Sequence, residues 1–237
     1  MKMKIIVSNT YEEMSKNAAD FLMKRMAQEK RVNLGLATGN TPTGMYRQLV
    51  EYLNLGYGIE HVHFYNIDEY CDVDETVPGT CAYYLQVEFF GKTKISSDNI
   101  HLLTEHNYAG YDTVIEKNGG FDTVILGIGE NGHIAYNEPN TPFDTLTNVL
   151  ALTHESKVQH SEEFGGYDHV PNKAVTIGIK TIMNAQNILL MANGSKKAEI
   201  IKESLTGKIT EDVPGSILQL HPRVVVLLDR EAAGKLS

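Results

Sequence analysis

Apolar residues in this chain fall into short runs of strand length, separated by stretches of helical spacing. Ile5 to Val7 reads as a short strand, and Val32 to Ala37, His61 to Tyr65, Thr123 to Leu126, Ala174 to Ile177, Ile188 to Ala192 and Val224 to Leu228 are brief and apolar enough to be buried strands. Between them, Met14, Ala18, Phe21 and Leu22 form one apolar stripe behind Thr10 and Glu13, which have the spacing of a capping box. Met45, Leu49 and Leu53 repeat at helical spacing behind Pro42, and Lys196 to Leu205 reads as another helix. This alternation predicts an α/β fold, a mostly parallel sheet with helices on both faces. Ligands in such sheets bind beyond the carboxyl ends of the strands, so chemistry is sought in the loops that follow them.

Composition narrows the class. At 237 residues, with no break in composition, no linker and no repeat, residues 1–237 read as one domain. A chain of this size buries roughly 70–75% of its unfolded surface in one core. A net charge of −9 disfavours a nucleic-acid or anionic-membrane partner, either of which needs a basic face. It leaves room for an anionic small molecule, because the field within a pocket can oppose the global charge. Two cysteines, Cys71 and Cys81, without metal-ligand spacing, point to a reduced compartment and to no disulfide framework. Cys71, beside an acidic pair, reads as a small buried residue rather than a nucleophile. Met1 to Lys4 lead straight into a strand rather than a signal-peptide core, and no apolar stretch approaches the length of a membrane span. A cytoplasmic protein is expected.

Three post-strand segments carry candidate chemistry. Leu34 to Gly44 (LGLATGNTPTG) joins a strand through a Thr/Gly/Asn turn to a helix, so free backbone N–H groups and hydroxyls converge where the helix dipole favours an anion such as phosphate. Taken alone, it also fits an ordinary strand-to-helix connection. It matches neither the lysine-bearing phosphate loop nor the dinucleotide fingerprint. Asn66 to Tyr70 (NIDEY) places Asp68 and Glu69 at a strand end, and alternation allows only one of them to face a given cleft. Gly127 to Pro139 (GIGENGHIAYNEP) puts His133 and Glu138 on a glycine-rich loop that can fold them together. A single His and Glu on such a loop would more simply be a solvated turn; the three segments together weigh against that.

In this order and spacing the segments, with Gly194 to Ala198 (GSKKA), resemble the glucosamine-6-phosphate deaminase/isomerase family. The resemblance runs from Ile5 to about Ala233 and includes Pro171 to Gly178 and Leu220 to Pro222. It implies a Rossmann-like sheet and an enzyme that isomerises and deaminates a hexosamine 6-phosphate, of glucosamine or galactosamine, to a ketohexose 6-phosphate and ammonia. In that reading Asp68 carries a proton from C2 to C1, and His133 opens the sugar ring, oriented by Glu138 and Asn131. Thr38, Gly39, Asn40, Thr41 and Lys197 hold the phosphate, and Glu69 and Gly132 complete the binding set. Each step is proton transfer, so no metal and no organic cofactor is expected. The partner is the amino-sugar phosphate; a homo-oligomer is compatible with the chain.

Two departures from the family pattern stand out. Asn131 occupies a position where many members carry Asp, so it can orient His133 without adding charge. Glu162 falls where a phosphate-binding Arg is usual, which predicts compensation by Lys157 or a His of the same segment, or else a different substrate. Pro78 to Cys81 resembles members that act on galactosamine 6-phosphate. The alternatives are a hydrolase of the 6-phosphogluconolactonase kind, which shares the fold but lacks the Asn-Glu-Pro ending and would not need Asp68, and a sugar-phosphate sensor without catalysis. Sensors on this fold usually carry a DNA-binding helix-turn-helix, for which this chain has no residues to spare.

Overall fold

The computed structural model describes residues 3–236. In chain order the elements are β1 (Lys4–Ser8), α1 (Tyr11–Met26), β2 (Val32–Leu36), α2 (Asn40–Asn54), β3 (Val62–Asn66), β4 (Asp68–Tyr70), α3 (Cys81–Glu88), β5 (Ile100–His101) and α4 (Tyr108–Lys117). They continue with β6 (Thr123–Leu126), β7 (Asn148–Ala151), α5 (His154–His160), β8 (Lys173–Thr176), α6 (Ile179–Met183), β9 (Asn187–Ala192), α7 (Ala198–Thr206) and β10 (Val224–Asp229).

Seven strands form a parallel sheet in the order β1-β10-β9-β6-β2-β3-β5. Its middle strands β2, β6 and β9 are buried at every residue, which is why their sequences, apart from Asn33, Thr123 and Asn187, are apolar rather than alternating. Crossovers between parallel strands are right-handed. The forward steps through α1 and α2 therefore put those helices on one face, and the backward steps through α4 and α7 put those on the other. Thr10 caps α1 as predicted, its hydroxyl accepting from the Glu13 N–H at 3.2 Å. Glu13 departs from the capping box by accepting from the Asn9 N–H, one residue further back, at 2.7 Å. Among the described residues no helix is long and apolar enough to cross a membrane.

One expectation needs correction. The run predicted at Ala174 to Ile177 is a strand, β8, but it belongs to a second, antiparallel sheet of order β4-β8-β7. Burial on both faces makes its sequence indistinguishable from a central parallel strand. Asn66 sets the branch between the sheets. Its side chain accepts from the Leu103 N–H and donates to the Asp68 carbonyl at 3.0 Å, so the chain leaves β3 and enters β4 within two residues.

Candidate active site

Loops at the carboxyl ends of β2, β6 and β9 meet β4 and α3 around a cavity of about 680 Å³. The loop after β2 supplies Thr38, Gly39, Asn40 and Thr41, all of which line it. Gly39 sits at φ 95°, where a side chain is strained, and caps α2 without offering a side chain, so the first N–H groups of the helix stay open to a ligand. The loop is fixed from behind: the Tyr84 hydroxyl donates to the Gly39 carbonyl at 2.8 Å, and the Thr41 hydroxyl meets Asn193 Oδ1 at 2.7 Å. Lys197, on the turn after β9, lines the same cavity, and burial holds its ammonium pKa below the usual range, with Glu130 opposing that shift. A desolvated lysine beside an uncapped helix end is an anion cradle.

Asp68 and Glu69 part as strand alternation requires. Asp68 lines the cavity, only 7% exposed, and its carboxyl is pushed up to about 7 by burial and by the neighbouring Glu69. Cys81 Sγ lies 3.6 Å from Asp68 Oδ1. Glu69 does not reach the cavity, which corrects its place in the expected binding set. Its carboxylate accepts from the N–H groups of Tyr70, Cys81 and Ala82 at 2.8, 3.0 and 2.7 Å, and so anchors the start of α3.

The loop after β6 folds back on itself. Gly129 N–H donates to the His133 carbonyl at 2.9 Å, and the imidazole lies so close over Gly129 that a Cβ there would sit 2.2 Å from a ring carbon. Gly132, at φ 88°, turns the chain and does not line the cavity; a Cβ there would meet Val213 and Ile200 behind the loop. His133 Nδ1 faces Glu138 Oε1 at 3.5 Å, an ion-pair distance that is long for a hydrogen bond. The other ring nitrogen is left for the cavity. Glu138 is held by Asn131 Nδ2 at 2.7 Å and by the Ser156 hydroxyl at 3.0 Å, while Asn131 Oδ1 accepts from the His133 N–H at 3.1 Å. Burial would raise the Glu138 carboxyl, but His133, Asn131 and Ser156 together outweigh it and hold the group below the usual range. Asn131 thus acts on both partners without touching the cavity.

The segment from Thr153 to Val170 covers one side of the site; of the two groups expected to offset Glu162, it brings a histidine to the cavity and not the lysine. Glu162 does not line the cavity; His160 and Glu163 do, paired at 2.7 Å. Lys157 donates to Asn172 Oδ1 at 2.9 Å and lies over the Tyr167 ring, so it is engaged outside the site. Several cavity residues went unmarked in the sequence. Arg47 is one helical turn beyond Thr43 on α2, and that spacing put both on one face. Arg47 Nε lies 3.9 Å from Glu88 Oε2. Cys81, Tyr84 and Tyr136 carried no such signal, because their places depend on α3 and the small sheet.

Fold and site together define an α/β protein with a raised-pKa carboxyl and a carboxylate-backed imidazole around an anion cradle. The profile of the family Glucosamine-6-phosphate isomerases/6-phosphogluconolactonase matches residues 8–226, and the chain belongs to that family. It is 40% identical over 238 residues to a glucosamine-6-phosphate deaminase of Thermoanaerobacter pseudethanolicus, covering 98% of this chain and 94% of the relative. It is 41% identical over 241 residues to a glucosamine-6-phosphate deaminase of Clostridium acetobutylicum, covering 99% and 100%. Among solved structures, a monomeric glucosamine-6-phosphate deaminase superposes with a TM-score of 0.93 at 36% identity, over 98% of this chain and 100% of the other. A 6-phosphogluconolactonase from Trypanosoma brucei superposes at 0.79 with 20% identity, over 100% and 99%, a likeness of fold alone.

Proposed function

We propose that this protein isomerises and deaminates a hexosamine 6-phosphate, releasing ammonia and leaving a 2-ketohexose 6-phosphate. One observation carries the reading: Asp68 and His133 line the same cavity as the Thr38 to Thr41 loop and Lys197. A base, a ring-opening group and a phosphate cradle are the parts this reaction requires. The relatives named glucosamine-6-phosphate deaminase support it.

The phosphate rests on the open N–H groups of α2 and on Lys197, which fixes the far end of the sugar. His133, steadied by Glu138, moves a proton between the ring oxygen and the C1 hydroxyl, opening the ring to the aldehyde. Asp68 takes the proton from C2, and the electrons of that bond form the C1–C2 double bond of an enolamine as the C1=O π pair moves onto O1, which takes a proton from water in the cavity. The same carboxyl returns the proton to C1, which leaves an iminium at C2. Water adds there, and ammonia departs as the ketone forms. A carboxyl that titrates near 7 is suited to both halves of the transfer, since it accepts a proton and gives it back at comparable cost. The residues assigned to these steps come from one chain, which supports catalysis without a contribution from a partner subunit.

Ammonia release measured with glucosamine 6-phosphate and with galactosamine 6-phosphate tests the proposal and identifies the epimer. Hydrolysis of a sugar-phosphate lactone without ammonia from either amino sugar would replace it with the hydrolase reading.

A further inference from the structure

Cys81, the first residue of α3, holds both members of the acidic pair. Its backbone N–H donates to Glu69 Oε1 at 3.0 Å, and its Sγ lies 3.6 Å from Asp68 Oδ1. The Thr38 hydroxyl donates in turn to Sγ at 3.5 Å, so an unbroken chain of contacts runs from the phosphate loop through the thiol to the carboxyl. The thiol is 4% exposed and lines the cavity. Burial, with Glu69 and Asp68 beside it, raises its pKa well above the ordinary range. It therefore stays protonated and serves as a donor. Among the described residues it makes the sole hydrogen bond to the Asp68 side chain.

We propose that Cys81 is the positioning residue for Asp68: its S–H donates to Oδ1 and commits that oxygen, so that Oδ2 is the atom that takes the proton from C2 and returns it to C1. Two carboxylate oxygens free to exchange would present the base in several orientations, and one pinned oxygen presents it in one. A thiol suits the task because it is a weak donor. It fixes direction while withdrawing little basicity, whereas a strong donor would stabilise the carboxylate and weaken it as a base. The contact from Thr38 holds Sγ in place and ties the direction of the base to the loop that receives the phosphate.

The inference rests on the deaminase reading, and the tests separate the two. Wild-type protein is first assayed for ammonia release; failure there removes the reaction, not the contact. Cys81→Ala should then lower kcat about threefold, the kinetic equivalent of one weak hydrogen bond, with KM little changed. Its acid limb of kcat/KM should move to higher pH, because the carboxylate has lost its donor. Cys81→Ser should recover part of kcat and move that limb to lower pH, since a hydroxyl donates more strongly. A purely structural role would not shift the two limbs in opposite directions. The S–H stretching band in the infrared spectrum supplies a readout independent of turnover and of variant folding, because the chain has only 2 cysteines. In wild type, the Cys81 band should shift as Asp68 ionises. Wild-type pH limbs in both folded variants, or an S–H band indifferent to pH, overturn the proposal.

Discussion

Asp68 and Glu69 are sequence neighbours whose carboxylates serve opposite ends: Asp68 faces the cavity with a single thiol contact, while Glu69 is closed off by three backbone N–H groups. The difference follows from the period of the strand they share, which sends successive side chains to opposite sides. It also separates the consequences of changing them. Loss of the Glu69 charge should loosen the start of α3, and in the proposed mechanism loss of the Asp68 charge removes the base.

Asp68→Asn should reduce turnover on the order of 10²-fold or more with KM nearly unchanged, because shape is kept and basicity is lost. For the wild type, kcat/KM should rise with pH through about 7, where the carboxyl ionises. Stability should run the other way. The folded carboxyl keeps its proton up to about 7 against an ordinary 3.8, so its favourable contribution is complete below the lower value and is lost as pH rises through the higher one. Asn carries no such charge. Melting curves of the two proteins should show Asp68→Asn more stable at about pH 8, with the gap closing toward about pH 4.

His133→Asn should slow the cyclic substrate more than an open-chain analogue, because only the former needs its ring opened. Glu138→Gln should produce the same bias more weakly, about tenfold, since Asn131 and Ser156 can still orient an amide in place of the carboxylate. Equal losses on both substrate forms would remove His133 from ring opening.

At the phosphate end, Lys197→Ala should raise KM at least tenfold, the cost of one charge-assisted contact in a partly dry site. Glu162→Arg should leave KM unchanged, because residue 162 does not line the cavity. A clear fall in KM for that variant would place the Thr153 to Val170 segment closer to the substrate than this structure has it.

Away from the site, Arg25 binds Asp122 through two hydrogen bonds of 3.0 Å, and the Asp122 side chain is only 3% exposed. Burial alone would raise the Asp122 carboxyl, but the bonds from Arg25, Thr123 and Gln28 hold it below the usual range. Arg25→Ala should therefore destabilise by roughly 3 kcal/mol, by leaving a buried carboxylate without its cation. The loss should be full at neutral pH and shrink as pH falls through the depressed Asp122 value, which denaturant titrations at several pH values will resolve.

Six parallel strands were legible from their apolar runs, most clearly β6, β9 and β10, where burial on both faces leaves little ambiguity of face. β5, two residues long, and β4, made of Asp-Glu-Tyr, offered no apolar run to find. β8 was found as a strand but placed in the wrong sheet, since partner and direction are not written in its own residues. The same limit governed the site. Asp68, His133 and the Thr38 loop lie on segments whose local pattern names them. Glu69 and Gly132 sit within those segments yet turn away from the cavity, for reasons of strand alternation and of packing against Val213. Arg47 was open to discovery from helical spacing alone. His160, Glu163 and Cys81 reach the cavity only through tertiary contacts.

The branch at Asn66 divides the working parts between two sheets. Asp68 rides on the small antiparallel sheet, while Thr38 and Lys197 follow strands of the large one. The His133 loop is fastened to both, through β6 at one end and through the Tyr136 N–H bond to Thr176 at 3.1 Å at the other. The small sheet has three strands, one of them only three residues long, so fewer ladder hydrogen bonds hold it than hold the large sheet. Low concentrations of denaturant should therefore extinguish activity before the secondary structure melts, as the small sheet frays and carries the base out of register. With 0 tryptophans and 12 tyrosines, tyrosine emission, with Tyr70 and Tyr136 near the site, offers an intrinsic probe of that early step. Catalysis in this protein is then a measure of cooperativity: it persists for as long as two sheets behave as one.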